Sequence, residues 1–244
     1  MVKIIGQCIC SLITLLPLLP IYLTHEVVNE TVEFYISDHY LPYKVEIRYA
    51  GKTCCNGLII DEVSVLTAAH CLFEGPMLKD PQIMTVHVLN LKSNTSLVKK
   101  VQHIEIHHNY DVTSDNVTDD IGIIQVEEPF VLKRNFMEVI RLSNVISSRR
   151  SGCYVTDGTA KLNAGDGIVC DNRLVSIITE NVICEDEMYL KYIPVLRYVL
   201  WIKNTQVRLH SLETITTTDR VIIMGFKIYL VIQLLMIVLN VYDV

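Results

Sequence analysis

The chain has 244 residues, of which half are hydrophobic, and a formal net charge of −6 at pH 7. Its length suffices for one large domain or two small ones. The acidic balance excludes the basic surface that nucleic-acid binding requires, so no nucleic-acid partner is expected.

The N-terminal residues predict secretion. Residues 1–24 place Lys3 before a long apolar run, which is typical of a signal peptide cleaved near Thr24–His25, and an uncleaved N-terminal anchor is the alternative. Three acceptor sequons follow, and they predict glycosylation at Asn29, Asn94 and Asn116. We therefore expect a secreted, extracellular glycoprotein.

Cysteine usage agrees with an oxidising compartment. Eight cysteines are present, and two of them, Cys8 and Cys10, belong to the leader. The other six contain no C-x-x-C pair and no zinc-like spacing, so disulfides are favoured over metal binding. No metal ion and no cofactor is predicted.

Two apolar segments lead to an unusual histidine. Apolar and polar residues alternate from Tyr43 to Tyr49, which predicts a half-buried strand before the Gly51 turn. A second apolar run ends at Leu66, and Ala68-Ala69-His70-Cys71 comes soon after it. The pKa of histidine lies nearest neutrality, so His70 is a candidate general base, and the small alanines allow the backbone to pack closely behind it.

An acidic residue abuts a later apolar strand. After two further strand-like runs, His107 and His108 are adjacent and would point to opposite faces of a strand, so we interpret them as surface loop residues rather than metal ligands. Asp120 directly precedes the largely apolar run Ile121–Val126. This pattern predicts a buried carboxylate that orients an imidazole.

The stretch Val65-Leu66-Thr67-Ala68-Ala69-His70-Cys71 resembles the histidine motif of the trypsin-like (chymotrypsin-fold) serine protease family. Ser151–Gly158 is similar to the first strand of the family's second barrel, and Val199–Asn204 is similar to its closing helix, with Trp201 as the packing residue. The resemblance extends from about Leu41 to Thr205. It implies an all-β fold with a double β-barrel, the second barrel truncated, and a C-terminal helix.

The resemblance also implies roles for particular residues. His70 would be the general base, and Asp120 the carboxylate that orients it. Disulfides would join Cys55 to Cys71 and Cys153 to Cys170. The remaining Cys54 and Cys184 would bond to each other or stay free.

The nucleophile of the family is missing. Counted back from Cys170 without gaps, Ala164 occupies the position of the catalytic serine, and Leu162 that of an oxyanion-hole glycine. If Gly165-Asp166 is instead matched to the family's Gly-Asp, the serine is deleted. Neither alignment supplies the hydroxyl group that acylation needs.

Other departures accompany the missing serine. Sixteen residues separate Cys153 from Cys170, where the family has two more strands and its specificity pocket. The candidate mature N-terminus, Val27-Val28-Asn29-Glu30, does not follow a basic residue, and Asn163 replaces the aspartate that receives the freed amine in the family. Ser151 and Ser176 are poor substitutes, because the first precedes Cys153 and the second lies within an apolar strand.

The chain is predicted to have four segments: a signal peptide over 1–24, a trypsin-like domain over 25–205, a polar spacer over 206–220 and a hydrophobic segment over 221–241. A helix formed by the last segment would span roughly 30 Å, about one hydrocarbon core. We interpret it as a membrane anchor or as a removable glycolipid-anchor signal, and the sequence leaves both open.

These features predict a catalytically inactive homologue of trypsin-like proteases that acts outside the cell by binding proteins. A protease, an inhibitor or a peptide ligand would be its partner, and the chain would serve as a decoy or cofactor of a proteolytic pathway. The alternative is an active serine endopeptidase whose sequence here lacks a serine-bearing segment between about Asp157 and Ala164.

Overall fold

A computed structural model of the chain describes residues 35–36, 41–90, 95–114, 118–134, 136–144, 153–156, 163–184, 187–211 and 228–229. The predicted signal peptide and the three predicted glycosylation sites lie outside these residues. So do Ser151, residues 212–220 of the predicted spacer and nearly all of the predicted hydrophobic segment.

The described residues are mostly in β-strands, as predicted. In chain order, the strands are β1 (Tyr35–Ile36), β2 (Lys44–Tyr49), β3 (Lys52–Ile59), β4 (Ser64–Thr67), β5 (Phe73–Glu74), β6 (Met77–Leu78), β7 (Met84–Asn90), β8 (Thr95–Ile106), β9 (Gly122–Val126), β10 (Arg141–Leu142), β11 (Tyr154–Val155), β12 (Gly167–Cys170), β13 (Arg173–Cys184) and β14 (Glu187–Pro194). Short 3₁₀ helices span Ala69–Leu72, Pro81–Ile83 and Val195–Tyr198.

Six strands form a closed barrel in the order β2-β3-β4-β9-β8-β7. The alternation read from the sequence is observed in β2, where Val45 and Ile47 are buried and the residues between them are only partly covered. Strands β4 and β9 are buried along their whole length, which explains why neither strand contains a charged residue. The barrel interior is therefore the main hydrophobic core of the first half of the chain.

A second sheet contains β1, β11, β12, β13 and β10 in that order, with β14 paired to β13. The pairs β1–β11 and β10–β13 are parallel, and the others are antiparallel. Within the part of the chain that the structure describes, these strands do not close into a barrel. Among the described residues from Cys153 to Cys170, β11 has two residues and β12 has four, and β1 and β10 add to the sheet from segments that precede β11 in the chain.

A helix follows the strands over residues 199–211, and its presence confirms the predicted C-terminal helix. Contacts divide the chain into residues 1–199, which hold all of these strands, and residues 200–244. Within the helix, Ile202 and Leu209 are buried and the predicted packing residue Trp201 is half-buried. The helix includes residues 206–211, which the sequence had indicated as spacer. No helix among the described residues is both long and apolar enough to cross a membrane.

Candidate functional site

His70 lies in the 3₁₀ helix that follows strand β4. Ala68 and Ala69 are fully buried behind it, which agrees with the close packing that their small side chains predict. Gly122, at the start of β9, allows the 3₁₀ helix to lie directly against this strand. A Cβ atom at position 122 would be 2.6 Å from Cδ1 of Leu72 and 3.5 Å from Cα of Ala69. The sequence thus places the histidine on rigid, densely packed backbone.

Asp120 bonds to His70 twice. Its Oδ2 atom lies 2.7 Å from Nδ1 of the imidazole, and its Oδ1 atom accepts the backbone N–H of the same residue at 2.8 Å. The carboxylate is almost fully buried, whereas 40% of the His70 side chain is exposed. Because a carboxylate accepts at Nδ1, this nitrogen carries the proton and Nε2 is free to take one, as a general base requires.

The turn before Asp120 is held by a tyrosine. Asp119 has a positive φ of 56°, an unusual conformation for a residue other than glycine. Its Oδ1 atom accepts a hydrogen bond from the hydroxyl group of Tyr198 at 2.8 Å, and its backbone carbonyl accepts the N–H of Ile121 at 2.7 Å. Burial raises the pKa of Tyr198 to about 12, so its hydroxyl group remains a donor at physiological pH.

The interpretation of His107 as a surface residue was wrong. Its side chain is buried, it packs edge-on against the ring of Tyr198 with centroids 5.1 Å apart, and burial lowers its pKa. His108 is exposed. The expectation that the two side chains point to opposite faces of a strand was also wrong, because β8 ends at Ile106 and the two rings stack with centroids 4.4 Å apart. The contact of His107 with Tyr198 is long-range, and the local sequence pattern gives no sign of it.

Both disulfides implied by the resemblance are present. Cys55 bonds to Cys71 beside the histidine, and Cys153 bonds to Cys170 in the second sheet. Cys54 is a free, exposed cysteine. The Sγ atoms of Cys55 and Cys71 lie within 4.8 Å of a ring nitrogen of His70, but the disulfide occupies both sulfur atoms and leaves the imidazole as the one ready metal ligand of this group.

Ala164 lies in a turn that is bonded to the same part of the barrel. Its carbonyl oxygen accepts the backbone N–H of Asn56 at 2.8 Å, and Asn56 is the neighbour of the disulfide-bonded Cys55. Within the described part of the chain, Nε2 of His70 has no hydroxyl group within hydrogen-bonding distance, and Sγ of Cys71 lies 3.7 Å away from it. Ser176 is buried in β13, where it pairs with Ile168 of the second sheet.

A buried ionic network beside Ala164 was not anticipated. The carboxylate of Asp166 is fully buried and accepts bonds from the side chains of Lys44, Asn56 and Thr156 and from the backbone N–H of Asn163. The available signal was an acidic residue just before the apolar run of β12, which is the pattern that had singled out Asp120. The network also accounts for the burial of Asn56, whose side-chain amide donates a hydrogen bond to Asp166.

Comparisons with known proteins agree with this arrangement. The family model described as Trypsin matches residues 32–165, which is more than half of the chain. Trypsin Tyr p 3.0101 of Tyrophagus putrescentiae is 30% identical over 150 residues, which cover 59% of this chain and 50% of that protein. Transmembrane protease serine 7 of Rattus norvegicus is 32% identical over 120 residues, which cover 47% of this chain and 14% of that protein. The chain belongs to the trypsin-like serine protease family, and it spans half or less of the length of these curated relatives.

Solved structures support the fold. Neuropsin, a serine protease expressed in the limbic system of mouse brain, has a TM-score of 0.53 at 18% identity, and the match covers 68% of this chain and 94% of neuropsin. The scabies mite inactivated protease paralogue S-D1 has a TM-score of 0.55 at 16% identity, with 68% of this chain and 92% of the paralogue covered. At these identities the likeness concerns the fold alone.

Proposed function

We propose that this chain is a non-catalytic member of the trypsin-like serine protease family that acts by binding other extracellular proteins. The observation that carries the proposal is the alanine at position 164, in a turn bonded to the His70 region, where a serine hydroxyl would be needed. A methyl group can neither attack a carbonyl carbon nor be acylated. The imidazole then has a base function with no nucleophile to activate.

A protein that keeps the first barrel and the His70–Asp120 pair without a nucleophile retains part of the protease scaffold but releases no product. It would therefore act as a decoy or cofactor that engages a protease, an inhibitor or a peptide ligand. A fold neighbour described as an inactivated protease paralogue gives a precedent for such a protein. The proposal also includes secretion, glycosylation at Asn29, Asn94 and Asn116, and tethering through residues 221–241.

The test of inactivity is labelling of the full chain by an organophosphonate serine probe, with active trypsin as the positive control and His70→Ala as the matched variant. We expect no labelling above that of the His70→Ala variant, because no activated hydroxyl group is available to attack phosphorus. Labelling of the wild-type chain that His70→Ala abolishes would contradict the proposal.

The second candidate is an active endopeptidase in which an additional segment lies between Asp157 and Ala164. The observation that favours it is the short connection between Cys153 and Cys170, in which β11 has two residues and β12 four. Sequencing the transcript across Asp157 to Cys170 decides between the two. An uninterrupted reading frame supports the binding protein, and an inserted Gly-Asp-Ser-Gly segment supports the peptidase.

A further inference from the structure

The side chain of Asp166 is charged and has no exposure to solvent. Each of its oxygens is used twice: Oδ2 accepts the amide of Asn56 at 2.9 Å and the N–H of Asn163 at 3.0 Å, and Oδ1 accepts the hydroxyl of Thr156 at 3.1 Å and the ammonium of Lys44 at 2.9 Å. A carboxylate that is removed from water is stable only when it is paired and hydrogen-bonded in this way.

The cation of this pair comes from the other half of the fold. Lys44 is the first residue of β2 in the closed barrel, and Asp166 directly precedes β12 in the second sheet. The Lys44 side chain is only 22% exposed. A second contact lies beside it, because the hydroxyl groups of Tyr43 and Tyr154 are 2.6 Å apart. The ion pair therefore joins the barrel to the second sheet through a poorly solvated region.

The same carboxylate determines the shape of the turn over residues 163–166. It accepts the N–H of Asn163 at the start of the turn, while the backbone carbonyl of Asp166 accepts the N–H of Ile178 at 2.7 Å. Gly165, between them, has a φ of 86° and donates its N–H to the carbonyl of Ile178 at 2.8 Å. A change in the position of Asp166 would displace the whole turn, including Ala164.

We propose that the Lys44–Asp166 ion pair is an internal lock that orders the turn carrying Ala164 in the uncleaved chain. The buried carboxylate receives its cation from a side chain of β2, so the turn needs no amine released by cleavage of the backbone. The lock fixes the shape of the site before any processing occurs. It does not depend on whether the site binds, as proposed above, or catalyses.

The test is hydrogen–deuterium exchange on the full, uncleaved chain, whose mass is verified before labelling. In the wild type, the hydrogen-bonded amides of Asn163, Gly165, Asp166, Gly167 and Ile178 should be protected. Lys44→Met should raise their exchange rates by at least about tenfold, because it leaves a buried charge without its partner. Lys52→Met is the matched control, since this lysine is exposed in the neighbouring strand β3, and its exchange should equal that of the wild type.

Two results would overturn the lock. One is fast exchange of the turn amides in the uncleaved wild type, and the other is exchange in Lys44→Met that is as slow as in the wild type. If Lys44→Met does not fold, the double variant Lys44→Met/Asp166→Asn decides, because it removes both charges together. Recovery of a folded chain supports a paired role, whereas failure of the double variant under the same conditions overturns it. None of these readouts depends on labelling by the serine probe, so the two proposals fail separately.

Discussion

At the scale of single residues, the sequence identified the histidine and its carboxylate but not the residues that support them. The role of Asp120 was predictable because an acidic residue next to a buried apolar strand is itself drawn out of water. A buried carboxylate is costly unless a polar group pairs with it. The support from Tyr198 to Asp119 was not predictable, because these residues are 79 positions apart and neither has a distinctive local pattern. Residue type indicates chemistry, but long-range contacts depend on the folded chain.

His107 gives a prediction on pH. Burial lowers its pKa below the ordinary value of 6.5, so the unfolded chain binds a proton there more readily than the folded chain does. Stability should therefore fall as the pH is lowered through about 6.5, until the folded-state pKa is also passed. His107→Gln should lose less stability than the wild type over the same range.

Urea denaturation of both proteins between about pH 8 and pH 5 measures this difference, and the comparison cancels the titration of groups that do not interact with His107. Burial lowers the pKa of His107 most, the positive charge of the His108 ring lowers it further, and together they outweigh the negative charge of Asp119, which raises it. An equal loss of stability in the two proteins would show that His107 is not the group responsible.

At the scale of elements, the strands were more predictable than the turns. Alternation and apolar runs in the sequence indicated β2, β4 and β9, because burial on one or both faces leaves a pattern with a period of two or a continuous run. The turn over residues 163–166 left no such pattern. Its partner Asn56 lies 110 positions away from Asp166, and the network becomes visible only when the two halves of the chain are in place.

Gly165 is the most sensitive position in this turn. Its φ of 86° is unfavourable for other residues, and a Cβ atom would lie 1.8 Å from the carbonyl oxygen of Asn56. Gly165→Ala should destabilise the chain by about 2–5 kcal/mol, the sum of a left-handed backbone penalty and an overpacking penalty. Denaturation with urea measures the loss.

Gly75 is the matched control, because its φ is 59° and nothing lies within 4 Å of its Cβ position. Gly75→Ala should cost about 1–2 kcal/mol, the backbone penalty alone. Equal losses of stability in the two variants would mean that the turn rearranges around the added methyl group at no extra cost, and that Asn56 does not fix the position of the turn.

At the scale of the whole molecule, the all-β class and the closed first barrel were predictable, and the composition of the second sheet was not. A barrel removes unpaired edges, and its buried strands leave strong sequence patterns. Strands β1 and β10 have two residues each, which is too short for any periodicity to be read. They join the second sheet through pairings that depend on the assembled fold.

The two sheets should therefore differ in local stability. Strand β9 is bonded on both sides, to β4 and β8, whereas β14 is paired to β13 among the described strands. We expect the amides of β9 to exchange at least about tenfold more slowly than those of β14, because local opening is easier at an edge. Hydrogen–deuterium exchange at neutral pH measures both strands in one experiment. Faster exchange in β9 would contradict a closed barrel as the most stable part of the molecule.

Asp120 accepts a backbone N–H as well as the imidazole, so its carboxylate belongs to the fold and not only to the chemistry. Replacing it would harm folding even in a lineage that no longer hydrolyses anything. Purifying selection on stability alone would then keep the aspartate in the gene. An aspartate that is kept for the fold is not evidence of a working protease, so the His–Asp pair alone does not separate an enzyme from a binding protein.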